Sequence, residues 1–174
     1  MNLISTEYLI EDKLIFKNKM LNWANRFNIF CFLDNNEYKF QSPSFDCILA
    51  AGCKRSIEPP AGNVYASLQQ FYNEKPTWLF GHLGYELKNE TEKLSDTKKP
   101  LVNFGAAFFF EPEIIIQVID GKLSVLNSSM DASVIFKEIS SQPENIISAF
   151  AAKPILKNSV SKQDYIETIR KLQQ

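Results

Sequence analysis

The chain is poor in the groups from which active sites are built. It carries a single histidine, His82, in 174 residues, so a zinc centre would be short of ligands. Its cysteines, Cys31, Cys47 and Cys53, are odd in number and lack C-x-x-C spacing. Two of them sit inside apolar, strand-like runs, where a thiol behaves as a small buried hydrophobe, and the three read as free thiols in a reducing cytoplasm. No G-x-S-x-G, H-E-x-x-H, P-loop or G-x-G-x-x-G signature occurs, and Gly81-x-x-Gly84 is too short for a phosphate loop and lacks its lysine. An excess of either charge is missing too, with 19 Lys+Arg against 20 Asp+Glu and no basic block. Nucleic acid is therefore not an expected partner. The longest apolar stretch, Phe108–Phe110 with Ile114–Ile116, is broken by Glu111, Pro112 and Glu113. That falls far short of the roughly 20 residues of a membrane span, and the N-terminus lacks the pattern of a secretory signal.

What is present is ordinary globular material. Hydrophobic residues make up 45% and charged residues 22% of the chain, enough for one well-packed domain in the common size range of about 100–200 residues. Fourteen phenylalanines promise an aromatic core.

Periodicity organises the chain into helices and strands. Phe16, Met20, Trp23 and Phe27 fall on one face of a helix predicted over Lys13–Phe27. Asn28–Leu33 reads as a strand entering a turn at Asp34-Asn35-Asn36, with Tyr38–Phe40 as a return strand and Cys47–Ala51 as a third. Gly52 to Gly62, with Pro59-Pro60, is expected to be loop. Val64, Leu68 and Phe71 mark a helix, Thr77–Phe80 a short strand, and Leu83, Leu87 and Leu94 one face of a further helix. Phe104–Glu111 and Glu113–Asp120 read as strands separated only by Pro112, and Asp120-Gly121 as a hairpin turn into Lys122–Asn127. Asp131 caps a predicted helix over Ala132–Ser140. Ser161 and Asp164 have the spacing of a capping box ahead of an apolar stripe of Tyr165, Ile169 and Leu172. The expected fold class is α+β, a largely antiparallel sheet with packed helices.

The residues that remain as chemical candidates have structural readings. His82, at a strand-to-helix passage, reads as a hydrogen-bonded structural histidine. Glu86, Glu90 and Glu92, interleaved with Lys88 and Lys93, read as a solvated helix face, and Glu111 and Glu113 as strand-edge residues.

Three segments carry a family resemblance. Phe80-Gly81-His82-Leu83-Gly84-Tyr85-Glu86-Leu87-Lys88-Asn89-Glu90-Thr91-Glu92-Lys93-Leu94 resembles a segment of the anthranilate/para-aminobenzoate synthase component I family. It is closest to the "GHLSYDLKNE-x-EKL" wording of the aminodeoxychorismate synthases, with Glu86 in place of the usual Asp. Phe108–Ile116 is similar to the family's aromatic strand, proline and following strand. Ser161-x-x-x-Tyr165-Ile166-x-x-Ile169-x-x-Leu172 is similar to the helix that opens its chorismate-binding domain.

The resemblance implies a division into an N-terminal domain (1–152), a linker (153–160) and the first helix (161–174) of a truncated chorismate-binding domain. That last helix has no stop signal, which agrees with a cut chain. Chorismate contacts and Mg2+ ligands would belong to the missing C-terminal domain, leaving this chain non-catalytic and without a cofactor of its own. Implied partners are that domain and a glutamine amidotransferase subunit, together with self-association through exposed apolar surface. The family's N-terminal region also carries a tryptophan or effector pocket. Its positions correspond here to Asp34 and Asn35, and to Ser42, Pro43, Ser44 and Phe45, with Asp34 and Asn35 offered to the ammonium and Phe45 to the ring. Asn35 stands where the family has Ser, and Ser44 where a basic residue is common. Asp34-Asn35-Asn36 reads equally as a plain turn. Anthranilate synthase component I, or a free-standing small-molecule-binding module, are the alternative readings.

Overall fold

The structure is a computed structural model that describes residues 7–38, 45–92, 105–145 and 160–173. In chain order the first half comprises β1 (Glu7–Leu9), α1 (Lys13–Ala24), β2 (Phe30–Asp34), β3 (Cys47–Ala51), β4 (Arg55–Ile57) and α2 (Val64–Glu74). The second half comprises β5 (Phe80–Leu83), a 3-10 turn at Tyr85–Leu87, α3 (Lys88–Thr91), β6 (Ala107–Glu111), β7 (Ile114–Ile119), β8 (Lys122–Asn127), α4 (Ala132–Ser140) and α5 (Lys162–Leu172). Five strands form one sheet in the order β1-β8-β7-β3-β2, and three form another in the order β4-β6-β5. Every pairing is antiparallel, so the protein is α+β with antiparallel sheets.

The period-2 alternation of strands sets the layers. On β3 and β7, Cys47, Leu49, Ala51, Ile114, Ile116 and Val118 join a core with Phe16, Met20 and Trp23 of α1 and Ile135 and Ile139 of α4. The alternate residues Ile48, Ala50 and Ile115 turn the other way and pack with Phe80 and Phe110 of the smaller sheet. Strand β6 repeats the device: Phe108 and Phe110 face the larger sheet, while Ala107 and Phe109 pack with Val64 and Leu87. A strand buried on both faces reads as an unbroken apolar run, which explains Cys47–Ala51 and Ala107–Phe110.

The two sheets share a bent ribbon. Ala51 pairs with Ile114, and Arg55 with Glu111, so β3 runs on into β4 while β6 runs on into β7. The bends lie at Gly52-Cys53-Lys54 and Pro112-Glu113. Gly52 has φ +74°, and a Cβ there would stand 2.7 Å from the Glu113 carboxylate, so glycine is required at the corner. At the other end, Asp120 (φ 49°) and Gly121 (φ 72°) are both left-handed, as a two-residue turn of the primed type demands, and close β7 onto β8.

Differences from the sequence reading have local causes. Helix α1 ends at Ala24, because the chain turns through Asn25 and Phe27 donates to the Ala24 carbonyl at 2.9 Å; Phe27 still packs on Trp23, with ring centroids 5.0 Å apart. The expected loop Gly52–Gly62 contains β4, which is too short to show an alternation. Strand β5 lies three residues beyond the predicted Thr77–Phe80. The helix expected after Leu83 is only the 3-10 turn and four-residue α3, with Leu83 left in β5 and Leu94 outside the described residues. Tyr38 is not in a strand; Lys39 and Phe40, and all of the proposed linker except Val160, lie outside the described residues. The partner of β2 is β3, in full register from Phe30↔Ala51 to Asp34↔Cys47. Asp131 and Ser161 cap α4 and α5 as expected. Among the described residues no helix is long and apolar enough to cross a membrane.

Candidate functional site

The expected pocket residues that the structure describes fall at the turn after β2 and on the face between the sheets. Asp34 lies opposite Cys47 in register, on the helical face of the larger sheet. Its Oδ1 accepts from Lys17 Nζ of α1 at 2.6 Å and from the Asn36 N–H at 2.9 Å. The Asn35 N–H donates to the Asp46 carbonyl at 3.0 Å, and the Asn35 side-chain oxygen accepts from the Glu37 N–H at 3.0 Å. Asn36 and Glu37 have φ 50° and 58°, so the segment is a tight turn held by its own side chains. Asp46 braces it from the other strand, receiving Lys13 Nζ at 2.8 Å. Burial pushes the Asp46 carboxyl up, but the bonds from Lys13 and the Gly121 N–H outweigh this and hold it below the usual carboxylate range.

Of the expected pocket residues, Asp34 and Asn35 are therefore brought together in this turn. Phe45 packs instead with the cluster between the sheets, across the larger sheet from the Asp34–Lys17 pair. Ser42, Pro43 and Ser44 lie outside the described residues.

The inter-sheet face is an apolar cluster. Its floor, Ile48, Ala50, Phe110 and Ile115, is at most 3% exposed. Its margin is looser: Cys31, Phe45, Phe108 and Leu126 are only half-buried around that floor. Leu33, which shares the face of Ile48 by register, is 44% exposed. Two aromatic contacts line the side of the smaller sheet, Trp78 on Phe80 at 6.0 Å and His82 on Phe108 at 6.4 Å between centroids. His82 shares the inward face of β5 with Phe80, and Gln117 shares the inward face of β7 with Ile115, so polar groups stand beside an apolar, aromatic interior.

Burial pushes the Cys47 thiol up to about 12 and raises that of Cys31 as well, so both stay protonated and non-nucleophilic. Among the described residues no cluster of His, Cys, Asp or Glu is placed to hold a metal ion.

Two arrangements escaped the sequence reading. Glu90, expected on a solvated face, reaches the N-terminus of α2 and accepts from the Gly62 N–H at 2.6 Å and the Val64 N–H at 3.0 Å. Glu111 is buried, with its carboxylate between Arg55 and Lys75. The only local hint was a charged residue ending an aromatic run; its partners lie 56 and 36 positions away. No protein-family model matches the chain, and no curated protein matches its sequence.

Proposed function

We propose that this chain is the N-terminal, non-catalytic region of an aminodeoxychorismate synthase component I, with the fold of the corresponding region of the anthranilate synthase component I family. One observation carries the reading. The segments Phe80–Leu94 and Phe108–Ile116 resemble the family separately, and they meet in space: β5 pairs with β6 from Phe80↔Phe110 to Leu83↔Ala107. Two family-like segments that build one small sheet favour a shared origin over chance wording. The parent reaction converts chorismate and glutamine-derived ammonia into 4-amino-4-deoxychorismate. Chorismate recognition and Mg2+ binding reside in the chorismate-binding domain, and this region contributes a scaffold, an effector pocket that includes Asp34 and Asn35, and surface for the amidotransferase subunit in a cytoplasmic complex.

The test is reconstitution. The isolated chain, given chorismate, ammonia and Mg2+, should consume no chorismate; measurable turnover would refute the reading. Mixed with the chorismate-binding domain of an aminodeoxychorismate synthase component I, it should raise the yield of 4-amino-4-deoxychorismate. Stimulation of an anthranilate synthase domain alone would move the assignment to the tryptophan branch. Tryptophan itself should bind the isolated chain weakly or not at all, because Asp34 is already engaged by Lys17 and the remaining pocket walls come from the chorismate-binding domain. Micromolar affinity by calorimetry would contradict this.

A further inference from the structure

A cleft of about 330 Å³ opens between the start of α1 and the end of α4. It lies on the helical side of the larger sheet, away from the inter-sheet face. Its apolar lining is Leu9, Ile10, Ile15, Phe16 and Phe136. Phe136 is fixed between two rings, stacked on Tyr8 at 4.4 Å and on Phe16 at 5.8 Å, so one wall of the cleft is a preformed aromatic surface.

Four charged side chains line it: Glu11, Asp12, Lys19 and Glu144. Two of them answer helix ends. Asp12 caps α1, accepting the Ile15 N–H at 2.9 Å, where a carboxylate offsets the positive end of the helix dipole. Lys19 donates to the Ser140 carbonyl at 3.1 Å, at the negative end of α4. The other two have no partner among the described residues. Glu11 and Glu144 are exposed, and neither makes a hydrogen bond or ion pair with a described residue. The cleft thus sets two carboxylates that no described residue pairs with beside an aromatic surface.

We propose that this cleft binds a small amphipathic primary amine. Its aryl or branched-alkyl body rests on Phe16 and Phe136, and its ammonium, with three donors and no acceptor, is directed to Glu11 and Glu144. The volume lies at the lower end of small-molecule sites, which limits the ligand to about one ring and a short arm. Both acids are open to solvent, so the attraction is screened by salt and sets selectivity among ligands of similar shape more than raw affinity. The site does not depend on the chorismate reading, and either can fail alone.

The probe is 2-phenylethylammonium, titrated into the chain at pH 7 and followed by amide NMR shifts and calorimetry. Saturable binding at submillimolar concentration is expected, with shifts confined to the start of α1 and the end of α4. The double substitution Glu11→Gln, Glu144→Gln should weaken it at least tenfold, and circular dichroism should show the fold unchanged, because both side chains are exposed. The neutral isostere 2-phenylethanol should bind at least tenfold more weakly than the amine. Absence of saturable binding, equal binding of the alcohol, equal binding to the doubly substituted chain, or shifts centred on His82 and Phe108 would each overturn the proposal.

Discussion

Glu111 shows how one side chain joins three elements. It is 4% exposed, and its two oxygens are divided between Arg55 Nε at 2.8 Å and Lys75 Nζ at 2.7 Å. Arg55 also donates to the Phe71 and Lys75 carbonyls, at 2.9 and 2.7 Å, and lies over the Phe71 ring at 4.0 Å. The last turn of α2 has no basic residue of its own, so Arg55, from β4, serves its C-terminal carbonyls. The Lys75 bond, then the Arg55 bond, hold the Glu111 carboxyl below the usual carboxylate range although burial opposes them. The folded-state value is therefore below the unfolded one. Stability from this group is complete above the ordinary pKa of about 4.3 and is lost as pH falls through the depressed value. Glu111→Gln keeps the shape but strands two cations, and should cost about 1–3 kcal/mol at pH 7. Urea titrations at pH 7 and pH 3 check this: the gap between the native chain and the Glu111→Gln variant should narrow at the lower pH. An unchanged gap would show that packing, and not charge, dominates at this position.

At the scale of elements, those bounded by strong local signals were the most legible. Helix Ala132–Ser140 and strand Lys122–Asn127 have the predicted bounds, because Asp131 and Asp120-Gly121 carry their own local geometry. The elements that were misplaced depend on distant partners. Gly81 sits opposite Phe109 in β5, and a Cβ on it would collide with the Phe108 carbonyl oxygen. Backbone approach, invisible in a single segment, places this strand beyond the better-looking Thr77–Phe80. Gly81→Ala should force β5 off β6 and yield an unstable or insoluble chain. Gly62→Ala, where φ is +88° but nothing lies within 4 Å, should cost only about 1 kcal/mol of backbone strain. Equal melting temperatures for the two variants would refute the close approach. The N-terminus of α2 is a second case, since Asn63 makes no side-chain cap and Glu90 supplies it from α3. Glu90→Ala should destabilise by about 1 kcal/mol and speed hydrogen exchange at Gly62 and Val64; unaltered exchange at both amides would argue against the remote cap.

For the whole molecule, the sequence could display apolar runs but not which of them face one another. Cys47–Ala51 and Ile114–Ile119 are visible as strands, yet their division between two cores follows from a bent ribbon whose corner residues, Gly52 and Pro112, look like ordinary loop signals. Of the expected pocket residues, Asp34 and Phe45 lie on opposite sides of the larger sheet: Asp34 pairs with Lys17 of α1, while Phe45 packs in the inter-sheet cluster. This two-core arrangement has an energetic signature. Phe110 and Ile115 belong to one cluster, and Ile116, next in sequence to Ile115, belongs to the other. Truncating any of the three to Ala should cost about 2–5 kcal/mol. Phe110→Ala and Ile115→Ala share neighbours, so their combined effect should depart from the sum by at least about 0.5 kcal/mol, whereas Phe110→Ala with Ile116→Ala should add within about that margin. Denaturant unfolding of the three single and two double variants measures both cycles. If Ile116 couples to Phe110 as strongly as Ile115 does, the larger sheet does not insulate one core from the other, and the division into two layers of packing is wrong.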